Sequence, residues 1–294
     1  MKKYILLLSA VLLVASVSFA SDNMGARPMG MGGAFVAIAD DANAIFENPA
    51  GIGYLHGEHA VVSNKISDRS YTIIGGVEET PVGNFGIGYI SSAYPIDGLS
   101  AAAINDQGEA PVAAQNQALI LSYAREFNRF SVVPKFMGKL SLGGSLKVSN
   151  YLITRAKGLS DNNGSIINAD LAAMLKPGED ISLGINIKNF FSAMDSASED
   201  EYSISLGASA KLLESIIVSA DSDGRVGCEW KPISLVALRA GKDGVYNTAG
   251  VGVSRNGVGV NYAYRGSESP IHYISISLAF DKQPDRRVAE INKI

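Results

Sequence analysis

Cysteine is nearly missing from this chain. Cys228 stands alone among 294 residues, so no disulfide can staple the fold from within. Clusters of lysine and arginine are missing as well, and the formal net charge is −4, which leaves no electrostatic footprint for nucleic acid or an anionic surface. Beyond residue 20, no stretch reaches the ~18 uninterrupted apolar residues of an α-helical membrane span. Only 18% of the residues are charged, against about 25% in a typical soluble domain, so long charged side chains to coat a water-facing surface are in short supply. Histidine is scarce too. The one close pair, in His56-Gly57-Glu58-His59, lacks the HExxH spacing and has no third ligand nearby, which predicts a surface turn rather than a zinc site. Cys228 lies between Val226 and Trp230 with no base beside it, so no nucleophile–base–orienter set can be drawn. Catalysis, metal ions and other cofactors are therefore not expected.

The first twenty residues have the parts of an export signal. Met1-Lys2-Lys3 is a positive start, Tyr4 to Val17 is apolar, and Ser18-Phe19-Ala20 supplies small residues for cleavage after Ala20. The apolar run is too short for a comfortable membrane anchor. No cysteine follows it, which argues against a lipoprotein. Removing Lys2 and Lys3 takes the net charge from −4 to −6. The mature chain is expected outside the cytoplasm.

What the chain has in abundance is alternation. Leu140, Leu142, Leu146, Val148 and Leu152 fall on one face, and Ser141, Gly143, Ser145, Lys147 and Ser149 fall on the other. Ile181, Leu183, Ile185 and Ile187 alternate with Ser182, Gly184, Asn186 and Lys188 in the same way. Successive side chains of a strand point to opposite faces, so each such run is a strand with one apolar and one polar face. Fourteen candidate strands follow between residues 58 and 280, among them 70–79, 83–91, 117–126, 138–152, 164–176 and 180–190. Tight turns rich in Gly, Pro and Asn, such as Thr80-Pro81-Val82, Pro177-Gly178-Glu179 and Asn256-Gly257, take turns with longer polar loops such as Ser92–Asn116 and Ser192–Asp200. Short turns on one rim and long loops on the other point to a transmembrane barrel. Phe127–Met137, long where a tight turn is expected, and Ser222–Gly224, short where a loop is expected, break the pattern.

The polar faces decide which side looks out. They carry mostly Ser, Gly, Asn and Ala, which suits a narrow lumen better than a wet surface and disfavours a soluble all-β protein. Large aromatics of the apolar set gather near strand ends (Tyr71, Phe85, Tyr89, Tyr123, Tyr202, Trp230, Tyr264 and Phe280), as in the girdles of a membrane barrel. The expected lumen face also holds charges of both signs: Lys147, Asp170, Lys188, Lys211, Asp221, Glu229 and Arg265. Mixed charges there can form an internal salt-bridge network or line a polar path.

One stretch does not alternate. Gly25 to Gly53, GARPMGMGGAFVAIADDANAIFENPAGIG, is built of small residues, with Met29, Met31, Phe35, Ile38, Ile45 and Phe46 among them. It is too apolar for solvent and too poor in bulk to fold alone, so it reads as an insert filling a hole made by the rest of the chain. Gly30-Met31-Gly32-Gly33 has no strand before it and no Lys-Ser or Lys-Thr after it, which excludes a phosphate loop. The acid pair Asp40-Asp41 is expected to cap a short helix over Ala42–Glu47, ended by the aversion of Asn48 to helix before Pro49.

Ala39-Asp40-Asp41-Ala42 with Asn48-Pro49-Ala50 resembles the N-terminal hatch of the FadL-like outer-membrane transporters, and the GMGGAF spelling is most similar to the smaller PorV/PorQ-type barrels. The resemblance implies a 14-stranded antiparallel transmembrane β-barrel with a hatch in its lumen. Its parts would be a signal peptide at 1–20, the hatch at 21–57, the barrel at 58–280 and a periplasmic tail at 281–294. Asp40, Asp41, Asn48, Pro49 and Ala50 make up the hatch motif, of which Asn48, Pro49 and Ala50 are carried over residue by residue. The PorV/PorQ likeness implies a component of protein secretion or surface attachment with secretion-system partners. The FadL likeness implies a passive transporter of small hydrophobic molecules such as long-chain fatty acids, in which the hatch shifts to open a route through a gap in the wall. Both place the chain in outer-membrane lipid. Phe280 has the aromatic character of a barrel's terminal residue, although fourteen more residues follow it.

Overall fold

The computed structural model describes residues 25–67, 70–95, 111–127, 138–155, 160–194 and 202–280. The expected signal peptide and the tail lie outside them, as does most of Phe127–Met137. Three short helical pieces come first: α1 (Ala26–Gly30), α2 (Ala44–Glu47) and a 3-10 turn (Pro49–Tyr54). Fourteen strands follow. They are β1 (Glu58–Ile66), β2 (Ser70–Thr80), β3 (Gly83–Pro95), β4 (Pro111–Phe127), β5 (Lys139–Arg155), β6 (Ser160–Lys176) and β7 (Ile181–Met194). The second half holds β8 (Ser203–Leu213), β9 (Ile216–Asp221), β10 (Arg225–Ile233), β11 (Val236–Asp243), β12 (Asn247–Arg255), β13 (Val258–Arg265) and β14 (Ile271–Phe280). Each pairs antiparallel with its neighbours, and β1 closes the ring by pairing with β14 from Glu58↔Phe280 to Ile66↔His272. Closure leaves no strand edge, the condition for β-structure in a bilayer, where an unpaired backbone group finds no water. No helix among the described residues is long and apolar enough to cross a membrane.

The apolar set faces outward. Ile87, Leu121, Leu142, Leu146, Ile204 and Ile276 are all about half exposed, whereas Ser122, Ser141, Ser145, Asn186 and Ser275 are buried inside. That inversion of a soluble protein's arrangement is the wall of a transmembrane barrel. Strand lengths divide the wall into two. β4, β5 and β6 each run 17 residues, while β8 to β14 run 6 to 11. A tilted span needs about 9–11, so β3 to β7 stand above the apolar belt. Much of the expected loop Ser92–Asn116 is strand for this reason. The ladder carries on through Ser91, Ser92, Asn116 and Gln117, where the hydrophobic alternation that marks a strand in sequence stops because the outward side chains meet water.

Tyr71 corrects the expected girdle. It is buried in the lumen against Tyr273, with ring centroids 6.5 Å apart. β2 is apolar on both faces, with Ile73 and Val77 inside and Ile74 outside, so hydrophobicity alone leaves its phase undetermined. Nor is the lumen uniformly polar. On β1 to β4 and β14 its lining includes Val61, Ile73, Val77, Ile90, Ile120 and Tyr273, which join the buried core of the hatch. The polar lining runs from β5 round to β13. The barrel thus offers one greasy inner side and one hydrogen-bonding side, and both contact the hatch.

At Leu121, on the outward face of one of the tallest strands, an arginine would have to sit in hydrocarbon. Leu121→Arg is expected to lower unfolding stability in lipid vesicles by about 2–4 kcal/mol, read by denaturant titration; no loss would place that face in water.

Candidate functional site

The site is the seat of the hatch, and glycine makes it. A Cβ on Gly227 would stand 2.2 Å from the Met31 carbonyl oxygen, on Gly184 2.3 Å from that of Val36, and on Gly143 2.7 Å from Ala50 N. These inner-wall glycines let the hatch backbone touch the sheet. Bulk enters from the hatch instead: Met31, Phe35 and Ile52 are fully buried in the lumen. Burying a side chain of that size stabilises by roughly 1.5–3 kcal/mol.

A segment with so little regular structure must place its backbone polar groups elsewhere. The wall supplies the partners. Asn186 Nδ2 donates to the Glu47 carbonyl at 2.5 Å, Ser141 Oγ to Ala50 at 2.7 Å, and Asn84 Nδ2 to both Ile52 at 2.6 Å and Leu55 at 2.7 Å. Lys188 Nζ reaches the Phe46 carbonyl at 3.3 Å. In the opposite sense, Phe35 N and Val36 N donate to Asp221 Oδ2 at 3.0 and 3.2 Å. Inside the hatch, Asn48 Nδ2 donates to the Val36 carbonyl at 2.7 Å and Asn48 Oδ1 accepts from Ala50 N at 3.1 Å. Asn48 has an extended backbone, and Pro49 opens the 3-10 turn that follows it.

The strongest tie is ionic. Arg27, on α1, donates to Asp40 at 2.5 Å and to Asp41 at 2.7 Å. It also reaches Glu229 of β10, Nε to Oε2 at 3.0 Å, with its guanidinium 5.3 Å from the centre of the Phe35 ring. Glu229 receives Arg239 at 2.6 Å and Lys231 at 3.3 Å as well, and Arg239 donates on to Asn261 at 3.0 Å. Three cations thus meet three carboxylates, which lets charges sit inside a lumen without a net burden. The acid pair therefore holds Arg27, and neither acid is the N-cap expected of it. α2 is only Ala44–Glu47, its N-cap is Asn43, and Asn43 makes no side-chain cap bond. Asp41 Oδ1 instead accepts from Asn43 N and Nδ2, both at 2.8 Å, in a local turn. Sequence reasoning passed over Arg27. Its signal was a lone base in an apolar segment that carries two adjacent acids.

Between the hatch and the tall side of the wall lies a cavity of about 260 Å³. Ile45 and Phe46 form its floor, and Ile90, Ala118, Ile120 and Ile166 its apolar sides. Lys147, Asp170, Lys188, Asn116 and Tyr151 give it a polar edge. Beside it the β6–β7 ladder is interrupted. Leu171 pairs with Ile187 and Ala169 with Phe191, so three residues of β7 face Asp170 alone. Asn189 adopts φ 55° there and donates its N–H to Asp170 Oδ1 at 2.7 Å, and Phe190 and Phe191 beyond it are both exposed. Such bulges break the pleat and re-aim side chains.

Of the charged positions expected in the lumen, Lys147, Asp170 and Lys188 meet at this cavity. Asp221 and Glu229 hold the hatch. Arg265 pairs with Asp243 near the far rim, and Lys211 shares the inward face of β8 but ends exposed at the strand's terminus. His56 lies on the near rim with its Nδ1 3.3 Å from Glu79 Oε1, and His59 Nε2 lies 2.9 Å from the His56 carbonyl. No group of three or more His, Cys, Asp or Glu is placed to hold a metal among the described residues.

Together these features define a hatch-plugged transmembrane barrel. No protein-family model matches the chain, and no curated protein matches its sequence. Solved structures do share its fold. The toluene transporter TodX of Pseudomonas putida superposes with a TM-score of 0.63 at 12% identity, covering 90% of this chain and 100% of that one. A FadL homologue of Pseudomonas aeruginosa superposes with a TM-score of 0.55 at 11% identity, again covering 90% and 100%. A TodX variant described as a monoaromatic hydrocarbon channel gives 0.63 at 13% identity, covering 89% and 100%.

Removing the Arg27 cation leaves Asp40, Asp41 and Glu229 facing one another. Arg27→Met is expected to weaken hatch seating by about 3–5 kcal/mol, seen as protease cleavage within residues 25–57 of an otherwise intact barrel; a resistant hatch would contradict the tie. Glu47 gives a pH dependence. Burial pushes its carboxyl up from the ordinary 4.5, Lys188 and Arg225 pull it partly back, and Asp223 and Asp41 add to the rise. An acid whose pKa is higher in the seated state binds more protons there, so stability is full below 4.5 and falls as pH climbs through the raised value. Protease resistance of the hatch should follow that slope, and Glu47→Gln should flatten it.

Proposed function

We propose that the protein is an outer-membrane transporter for small hydrophobic molecules. Residues 1–20 direct export, 21–57 form the hatch, 58–280 the wall, and 281–294 a periplasmic tail. The observation that carries this reading is the cavity of about 260 Å³ resting on Ile45 and Phe46, whose lining joins Ile90, Ala118, Ile120 and Ile166 with a polar half that includes Lys147, Asp170 and Lys188. A site of that makeup suits a small molecule with an apolar body and a polar group. Its size sets a limit, since an apolar cavity of about 150 Å³ already holds benzene. A single-ring compound fits the closed form, while a long chain needs the hatch to move. The fold shared with a toluene transporter and a FadL homologue supports the same class of cargo. The broken ladder at Asp170 and Asn189 is the exit we assign, because it is the place where the wall next to the cavity departs from regular pairing.

The PorV/PorQ spelling of the hatch favours the other reading, a part of a secretion or surface-attachment system. It rests on that spelling and on the short chain, and the solved structures that share the fold favour transport. Recovery of secretion proteins in a pull-down from solubilised outer membrane, with no change of solute uptake in a deletion strain, would reverse the preference.

Ala118 is buried at the cavity wall, so a large side chain there fills the space without touching the Arg27 tie. Cells of a deletion strain given back the wild-type barrel are expected to take up labelled toluene faster than the deletion strain itself, and Ala118→Trp should bring uptake down to the deletion level. Equal uptake with and without the wild-type barrel would sink the transport reading.

A further inference from the structure

The polar half of the cavity over the hatch is rich in donors, and its acceptor of negative charge is already in use. Asp170 is the one carboxylate in the lining. It accepts from Asn189 N at 2.7 Å through Oδ1 and from Ser145 Oγ at 3.3 Å through Oδ2. Lys188 is engaged by the hatch, since its Nζ donates to the Phe46 carbonyl at 3.3 Å and its charge acts on Glu47. Lys147 is held by far less. Among the described residues its ammonium meets no carboxylate, and its hydrogen bond to Asn189 Oδ1 is stretched to 3.5 Å.

The register sets a second donor beside it. Ser149 follows Lys147 by two residues on β5, so both side chains enter the lumen from one face, roughly 7 Å apart along the strand. The Ser149 hydroxyl lines the cavity and bonds to no other group among the described residues. The surroundings of this pair are apolar: Ser149 lies opposite Ala118 and Ile166, and Lys147 lies opposite Ile120. The Phe46 ring forms the floor, and the Tyr151 ring lies across Gly164 at the other end. A cation beside hydrocarbon and without a counter-charge is unfavourable in an empty site. An anion brought to it removes that penalty and gains charge-assisted hydrogen bonds. Volume limits the rest of the guest. About 150 Å³ already holds benzene, so about 260 Å³ takes one ring with a small substituent.

Given transport of small molecules, the reading on which the proposal rests, we propose that the cavity selects single-ring carboxylates of the benzoate kind over uncharged rings, with Lys147 as the specificity-determining residue. One carboxylate oxygen accepts from Lys147 Nζ and the other from Ser149 Oγ, while the ring lies among Ile120, Ile166 and Phe46. An uncharged ring enters the same space and is held less tightly. A ring that carries an ammonium group is repelled.

The test measures binding apart from uptake. Labelled benzoate, toluene and benzylamine are each brought to dialysis equilibrium at neutral pH between the full-length barrel in detergent and detergent alone. The wild type is expected to hold benzoate at least about tenfold more tightly than toluene, the factor for one charge-assisted hydrogen bond, and benzylamine more weakly than either. Lys147→Met, which keeps the reach of the side chain and removes its charge, should bring benzoate and toluene within about twofold of each other. Ser149→Ala should weaken benzoate by a smaller factor. Heat-modifiable gel migration checks that each variant is folded, and the comparison of benzoate with benzylamine on the wild type stands even if a variant is not. Toluene held as tightly as benzoate, benzylamine held as tightly as benzoate, or an undiminished preference for benzoate in Lys147→Met would overturn the selectivity and leave the transport reading in place. Binding of none of the three would overturn both.

Discussion

Everything in this molecule depends on a hatch that cannot satisfy its own backbone. Residues 25–57 pair only part of their carbonyls internally, so the rest need a lumen that brings donors to them. Asn84, Ser141, Asn186 and Lys188 do so from three different strands, β3, β5 and β7. A buried carbonyl without a partner costs about 1–3 kcal/mol, and several such groups together would outweigh the net stability of an ordinary domain. The polar faces of the strands are therefore part of the hatch's secondary structure, displaced onto its container.

The same need explains the two-sided lumen. The carbonyls of Phe46, Glu47 and Ala50 and the Arg27 guanidinium face the hydrogen-bonding side, β5 to β13, while Ile45, Phe46 and Ile52 pack on the greasy side against inner-wall glycines of β2 and β3. A hatch gripped on both sides leaves free space where the wall stands tall, in the cavity above Phe46. Site and fold thus have one origin, and the interrupted ladder at Asn189 adjoins that cavity.

Much of this could be read from the chain. β5 and β7 announce themselves because their outward side chains are large and their inward ones are Ser, Gly or Asn, so period two survives without alignment or structure. β2 does not, because its inner face packs on the hatch and is as apolar as its outer face; Tyr71 is misplaced for that reason. The upper parts of β3 and β4 are hidden for the opposite reason, both faces being polar where the strand leaves the hydrocarbon. The hatch was legible as a buried insert from its composition. Arg27 was not, since its partner Glu229 lies 202 positions away and nothing local ties the two. The cavity was out of reach altogether, because it is a property of how segments distant in sequence fail to fill a volume.

The most direct measurement is amide hydrogen exchange on the barrel reconstituted in lipid, followed residue by residue through the hatch. Amides of Met29, Gly33, Phe35, Val36 and Ala39, each bonded within the hatch or to Asp221, are predicted to exchange as slowly as those of the neighbouring strands. Exchange of these amides at the rate of an unstructured peptide, with the strands still protected, would mean that the lumen does not hold the segment, and the account would fail.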